Sequence, residues 1–172
     1  MKDSISVVIP VYNSQNSLNE LCQRLKKTFE FMNTKYEIIL IDDNSDDNSY
    51  KKIVELHKCD KNIKGIKLAR NYGQQNAIIC GFNYVKNDYV VTMDDDLQHL
   101  PEDIIKLYNK IKEGYDAVYA IPEDREYSFF RKLGSKLTNY LFDLITSKSA
   151  DIRVSSYRII KLCLVKKIIK SN

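Results

Sequence analysis

The 172 residues carry 27 Lys/Arg against 23 Asp/Glu, with 44% hydrophobic and 29% charged side chains, which fits one compact globular domain and is too apolar for a disordered chain. Apolar runs such as Val7 to Val11 and Ile38 to Ile41 fall far short of the roughly 20 residues that span a bilayer, and the N-terminus lacks the cationic start and cleavage site of a secretory signal. Cys22, Cys59, Cys80 and Cys163 are scattered with no CxxC pair, pointing to free thiols in a reducing cytoplasm rather than a zinc site or a disulfide framework.

In chain order, Ser6 to Val11 (SVVIPV) predicts a strand, Tyr12 to Ser17 a polar loop, and Leu18, Leu21, Cys22, Leu25 and Phe29 the apolar face of a helix. The pattern repeats with a strand at Tyr36 to Ile41, an acidic loop at Asp42 to Ser49 and a helix bearing Ile53, Val54 and Leu56. It repeats again with a strand at Ile63 to Ala69, a loop at Arg70 to Gln74 and a helix through Ala77, Ile78, Phe82 and Val85. A fourth strand, Tyr89 to Met93, runs into Asp94-Asp95-Asp96, and Pro101 opens a helix with Ile104, Ile105, Leu107 and Ile111. A fifth strand, Asp116 to Ile121, closes the series. Tyr127 to Thr146 and Ile159 to Ile169 then predict amphipathic helices. Short apolar strands alternating with helices imply an α/β fold around a mostly parallel, Rossmann-like sheet buried on both faces. No linker or internal repeat breaks the chain, so a single domain is expected over 1–172.

Charge is uneven along that domain. Residues 1–124 hold 16 Lys/Arg and 20 Asp/Glu, whereas residues 125–172 hold 11 and 3, so the two portions are expected to meet different partners. The basic residues form no nucleic-acid recognition motif, and nucleic acid is not expected as a partner.

In open α/β sheets, ligands bind beyond the carboxyl ends of the strands. The first such loop, Pro10-Val11-Tyr12-Asn13-Ser14-Gln15-Asn16, has no glycine, and no GxxxxGK[ST] sequence occurs, so bound phosphates need another partner. Asp94-Asp95-Asp96 offers one, because adjacent carboxylates repel unless a cation or a solvated turn offsets the repulsion. If the segment is extended, Asp94 and Asp96 point to one side and Asp95 away. Two such oxygens suit Mg²⁺ or Mn²⁺, which completes its shell with water and substrate phosphate. The alternative is an acidic turn capping the helix at Pro101. Asp42 and Asp43 end the second strand and Asn44-Ser45 turn the chain, so a carboxylate there is placed to accept a hydrogen bond from a nucleobase N–H. Helix capping by Ser45 or Asp46 is the alternative for the later residues but not for Asp42 at the strand's tip. Arg70, after the third strand, pairs either with a phosphate or with the acidic loops.

The stretches VVIPVYN (7–13), IDDNSDDNS (41–49), ARNYGQQNAIICGF (69–82) and VVTMDDDLQHLPEDI (90–104) resemble family 2 glycosyltransferases of the GT-A fold. Within them the likeness is to the polyprenyl-phosphate group of dolichol-phosphate mannosyltransferases and bactoprenol glucosyltransferases, with looser matches at 125–142 and 151–160. The resemblance implies that Pro10, Tyr12, Asn13, Asp42, Arg70, Asp94 and Asp95 contact the nucleotide, and that Asp94, Asp96 and Gln98 hold Mg²⁺ or Mn²⁺. It makes Asp96, Arg125 and Arg131 catalytic, and Arg125, Arg131 and Ser135 acceptor-binding, with His99 behind the ligands. Residues 1–124 become the nucleotide-sugar and metal part and residues 125–172 the acceptor side. Ser14 and Gln15 depart from the family, standing where related loops carry an acidic pair.

The implied reaction is inverting transfer from a nucleoside-diphosphate sugar, a UDP-sugar, to a polyprenyl phosphate at the cytoplasmic face of the membrane. Related chains continue with a basic segment and often two membrane helices. Transfer to a hydroxyl of a surface polysaccharide or glycolipid, and an inactive nucleotide-binding module, stand as alternatives.

Overall fold

The computed structural model describes residues 3–120 and 156–170. Every strand and helix described below belongs to one compact unit, Met1–Tyr119 with Ser156–Asn172. The helix expected over 127–146 lies outside the described residues.

Strand β1 (Ser4–Val11) is buried from Ile5 onward and pairs in parallel with β2 (Lys35–Asp42) on one side and β4 (Tyr89–Thr92) on the other. Strand β3 (Ile63–Lys67) adds to β2, also in parallel. The connections are helices: α1 (Leu18–Met32), α2 (Ser49–Cys59) and α3 (Gln74–Phe82). After β4 the chain makes a 3₁₀ turn at Pro101–Asp103 and enters α4 (Ile104–Ile111). Proline suits this start, where its missing N–H costs no helical hydrogen bond.

Alternation along the strands divides the core. Val8, Ile39, Ile41 and Val90 pack with Ala77, Ile78 and Phe82 of α3 on one face. That helix lies so close that a Cβ on Gly81 would come within 2.4 Å of Val8 Cγ1. Val7, Ile9, Ile38 and Leu40 occupy the other face, which α1, α2 and α4 cover with Leu21, Leu25, Phe29, Ile53 and Leu107.

The far edge differs from the sequence expectation. Strand β5 (Ala117–Tyr119) does not join β4; between them lies β6 (Arg158–Lys161), antiparallel to both, giving the order β3-β2-β1-β4-β6-β5. The helix expected from Ile159 therefore begins only at Leu162, as α5 (Leu162–Lys170). Ile159 and Ile160 are buried as strand residues, and Val165 of α5 joins the α3 face of the core. The sheet stays mostly parallel, with three parallel and two antiparallel pairings. No described helix is long and apolar enough to cross a membrane.

Candidate functional site

The loops after β1 and β2 are joined by side-chain hydrogen bonds. Asn13 N donates to Ser45 Oγ (3.0 Å), Asp46 N donates to Asn13 Oδ1 (2.9 Å), and Ser14 N donates to Ser49 Oγ (2.8 Å). Gln15 N donates to Asp47 Oδ2 and Asn48 N to Gln15 Oε1, both at 3.1 Å. Asn13 and Asn44 take the left-handed conformation (φ 55° and 59°), which asparagine tolerates better than most residues. These bonds fix the direction in which Pro10 and Tyr12 leave β1.

Asp43, 3% exposed, reaches from β2 to the loop before α3, where Tyr72 N (2.7 Å) and Gly73 N (2.8 Å) donate to its two carboxylate oxygens. Gly73 has φ 87°, which glycine adopts at no steric cost. Two amide donors on a buried carboxylate make this the brace of the third loop.

The acidic loop after β4 has another construction. Its strand ends at Thr92, the chain bends at Asp95 and Asp96, and Leu97 turns it with φ 60°. Asp94, Asp95 and Asp96 all line one cleft, while the Asp95 carboxylate turns to the first loop and that of Asp94 to Gln74 and Ser156. Asp95 Oδ2 accepts from Tyr12 N (3.2 Å) and from the Ser14 hydroxyl, tying this loop to the first. Burial holds the Asp95 pKa above the usual carboxylate range, against the lowering effect of those donors and with a raising contribution from Asp96. Asp94 accepts at both oxygens, from Gln74 Nε2 on Oδ1 and Ser156 Oγ on Oδ2, each at 2.6 Å. Asp96 is exposed and accepts only Gln98 N at Oδ1 (2.9 Å) among the described residues. Beyond the loop, Tyr157 Oη donates to Leu100 O, and Arg24 of α1 grips Glu102 through Nε (3.0 Å) and Nη2 (2.6 Å).

The cleft so formed has a volume of about 350 Å³, and Pro10, Tyr12, Asp43, Asp94, Asp95 and Asp96 are among its walls. It lies at the carboxyl ends of β1, β2 and β4. Tyr12, one of the lining residues, is 47% exposed.

Other expected residues lie elsewhere. Asp42 is fully buried with neither carboxylate oxygen hydrogen-bonded within the described structure, and the cleft wall is formed by Asp43 instead. Asn13 joins two loops rather than lining the cleft. Arg70 is exposed and stacks on Tyr72, 4.7 Å from the ring centroid. Gln98 does not border the cleft, and the His99 ring sits 5.0 Å from that of Tyr157. Arg125, Arg131 and Ser135 lie outside the described residues.

No group of three or more His, Cys, Asp or Glu side chains suited to a metal occurs among the described residues. A hard divalent cation bound through substrate phosphates needs only one or two protein carboxylates. Asp94 and Asp96, both oxygen donors on the cleft, meet that requirement.

A family model for glycosyl transferase family 2 matches residues 6–168. The chain belongs to that family. Solved structures share the fold of this family 2 chain at low identity. S. aureus TarS 1-349 in complex with UDP aligns over 98% of this chain and 49% of its own, with 21% identity and a TM-score of 0.64. The mannosyltransferase PcManGT from Pyrobaculum calidifontis, in complex with GDP-Man and Mn²⁺, aligns over 98% and 47%, with 14% identity and a TM-score of 0.67. Glucosyl-3-phosphoglycerate synthase from Mycobacterium tuberculosis, in complex with Mn²⁺, UDP and phosphoglyceric acid, aligns over 94% and 57%, with 16% identity and a TM-score of 0.62. The chain thus spans about half the length of the solved structures it matches.

Within this family 2 site, two residues escape a reading of sequence pattern, and the choice between Asp42 and Asp43 is made by the fold. Side chains alternate along a strand, so the two acids point to opposite sides and Asp43 is the one on the cleft. Gln74 sits in the quoted RNYG stretch, but its bond to Asp94 spans two loops. Ser156 is 62 residues from Asp94 and becomes its neighbour through the insertion of β6 beside β4.

Proposed function

We propose that this family 2 chain is the donor-binding and catalytic part of an inverting glycosyltransferase that moves a sugar from a UDP-sugar to a polyprenyl phosphate, at the cytoplasmic face of a membrane. The observation that carries the reading is the convergence of Asp94, Asp95 and Asp96 with Asp43 and Tyr12 around one cleft. Solved relatives in complex with UDP, UDP-GlcNAc or GDP-Man support a nucleotide-sugar donor, and the Mn²⁺ of two of them supports a divalent cation.

Tyr12 provides a flat surface for the base beside Pro10, while Asp43 keeps the facing loop in place. Asp94 and Asp96 would hold Mg²⁺ or Mn²⁺, with Gln98 following on the same turn. When bound, the cation supplies Lewis-acid stabilisation of the charge gained by the departing diphosphate. Asp95 holds the acidic loop against Tyr12 and Ser14 through the same Oδ2, a positioning task. An acceptor phosphate is already anionic and needs placement more than a base, the role assigned to Arg125 and Arg131 with Ser135. In this scheme residues 1–124 serve the donor and residues 125–172 the acceptor, and the full-length protein supplies the membrane contact.

Titration calorimetry of UDP with and without Mn²⁺ tests the donor site. The unaltered chain should bind in a metal-dependent way and Asp96→Ala should lose that dependence; equal affinities for the two proteins refute the assignment. Offering a polyprenyl phosphate and a glycan hydroxyl to the full-length protein tests the acceptor, and transfer only to the hydroxyl replaces this half of the proposal.

A further inference from the structure

Asp94 is the one member of the acidic loop whose two carboxylate oxygens are each occupied by a neutral side chain. Gln74 donates from the first residue of α3, and Ser156 donates from just before β6. The two donors come from opposite directions in the chain, 20 and 62 residues away, one from α3 and one from the approach to β6, the strand beside β4. Ser156 is itself fixed, because its carbonyl accepts the buried Thr92 hydroxyl at 2.5 Å and β6 is in register with β4 from Arg158 onward. Both donors are uncharged, so they orient the carboxylate without neutralising it. A salt bridge would have used up the charge that a cation requires.

We propose that Gln74 and Ser156 are positioning residues that hold the Asp94 carboxylate in the geometry that receives a divalent cation with a nucleoside diphosphate. The inference rests on the donor-site reading above and extends it to two residues outside the acidic loop. Asp96, exposed and with one backbone donor, adjusts to the ligand, whereas Asp94 is set beforehand. Removing a hydrogen-bond partner behind a metal ligand weakens metal affinity by roughly 10- to 100-fold. That range is expected for Ser156→Ala and for Gln74→Met, the latter at an exposed helix start where folding is little disturbed.

The test measures Mn²⁺ affinity by calorimetry in saturating UDP on the full chain, alongside thermal melting. Ser156→Ala and Gln74→Met should each weaken Mn²⁺ binding about tenfold or more. Ser156→Thr, which keeps the hydroxyl, should restore most of the loss, a rescue that a merely structural serine would not produce. In the full-length protein, the same variants should raise the Mn²⁺ concentration needed for half-maximal rate while leaving kcat at saturating metal within about threefold. Wild-type affinity in both Ser156→Ala and Gln74→Met overturns the clamp and leaves the donor-site reading standing. Absence of Mn²⁺-dependent UDP binding in the unaltered chain overturns both.

Discussion

The acidic loops after β2 and β4 have similar compositions and opposite constructions. In the first, Asp43 and Asp47 are spent on the protein. Asp43 receives two amides of the third loop, and Asp47 receives Gln15 N and Ser49 N while Asn48 closes the same turn. In the second, side chains supply donors to Asp94 and Asp95, and Asp96 stands exposed with one amide. Asp94 has two neutral side chains, Asp96 a single amide, and Asp95 is buried with a raised pKa. A carboxylate held by backbone N–H groups is part of the scaffold; one that is exposed on a cleft wall with a single donor, as Asp96 is, retains the capacity to bind a cation.

The sharpest way to break this contrast is Asp43→Ala. It removes the acceptor of Tyr72 N and the charged acceptor of Gly73 N, which keeps Asn71 Oδ1, and hydrogen bonds to a charged group are each worth about 1.5–3 kcal/mol. A loss of about 3 kcal/mol in urea unfolding is expected. A loss below about 1 kcal/mol would mean that the third loop is not braced by this residue.

Much of this fold was legible in the sequence, because β1, β2 and β4 are apolar runs buried on both faces and α1 shows its buried side at helical spacing. The strand β6 was not. Its four residues, Arg-Ile-Ile-Lys, carry no period distinguishable from the helix that follows, and its partner at Thr92 is far away in sequence. The site followed the same division. Asp94 and Asp96 stand out from composition, but the choice of Asp43 over Asp42 depends on which side of the β2 end faces the loop before α3. The proximity of Asp95 to Ser14 depends on β4 stopping at Thr92 rather than running on. Ser14, a departure from the family pattern, turns out to supply the hydroxyl that Asp95 uses.

A smaller effect distinguishes the loops by pH. Asp47 has its pKa lowered; burial acts in the raising direction but is outweighed by donors from Ser49 and Gln15. Its contribution is therefore present above the unfolded carboxylate pKa of about 3.9 and fades as pH falls through the lower folded value. Asp95 is shifted the other way, so its ionisation disfavours the folded state above the raised pKa, and protonation relieves that cost as pH falls toward the unfolded value. Asp47→Asn should lower the melting temperature at pH 7 more than at pH 3. Asp95→Asn, whose amide oxygen still accepts from Tyr12 N and Ser14, should compare more favourably with the unaltered chain at pH 7 than at pH 3. Parallel pH profiles for the two variants would erase the distinction.

The smallest stability change belongs to the residue with the largest expected effect on binding. Asp96 is exposed, its one described bond is to the amide two residues on, and its neighbour Asp95 repels it. Removing its charge lowers that repulsion while giving up one turn hydrogen bond, so the two changes oppose each other. Asp96→Ala should alter unfolding free energy by no more than about 0.5 kcal/mol, the usual range for a surface change away from packed features. A loss near that expected of Asp43→Ala would place Asp96 in the scaffold with the β2 acids. Near-wild-type stability together with lost Mn²⁺-dependent UDP binding would place it with the ligand, because a carboxylate that contributes little to folding yet much to binding has its partner outside the chain.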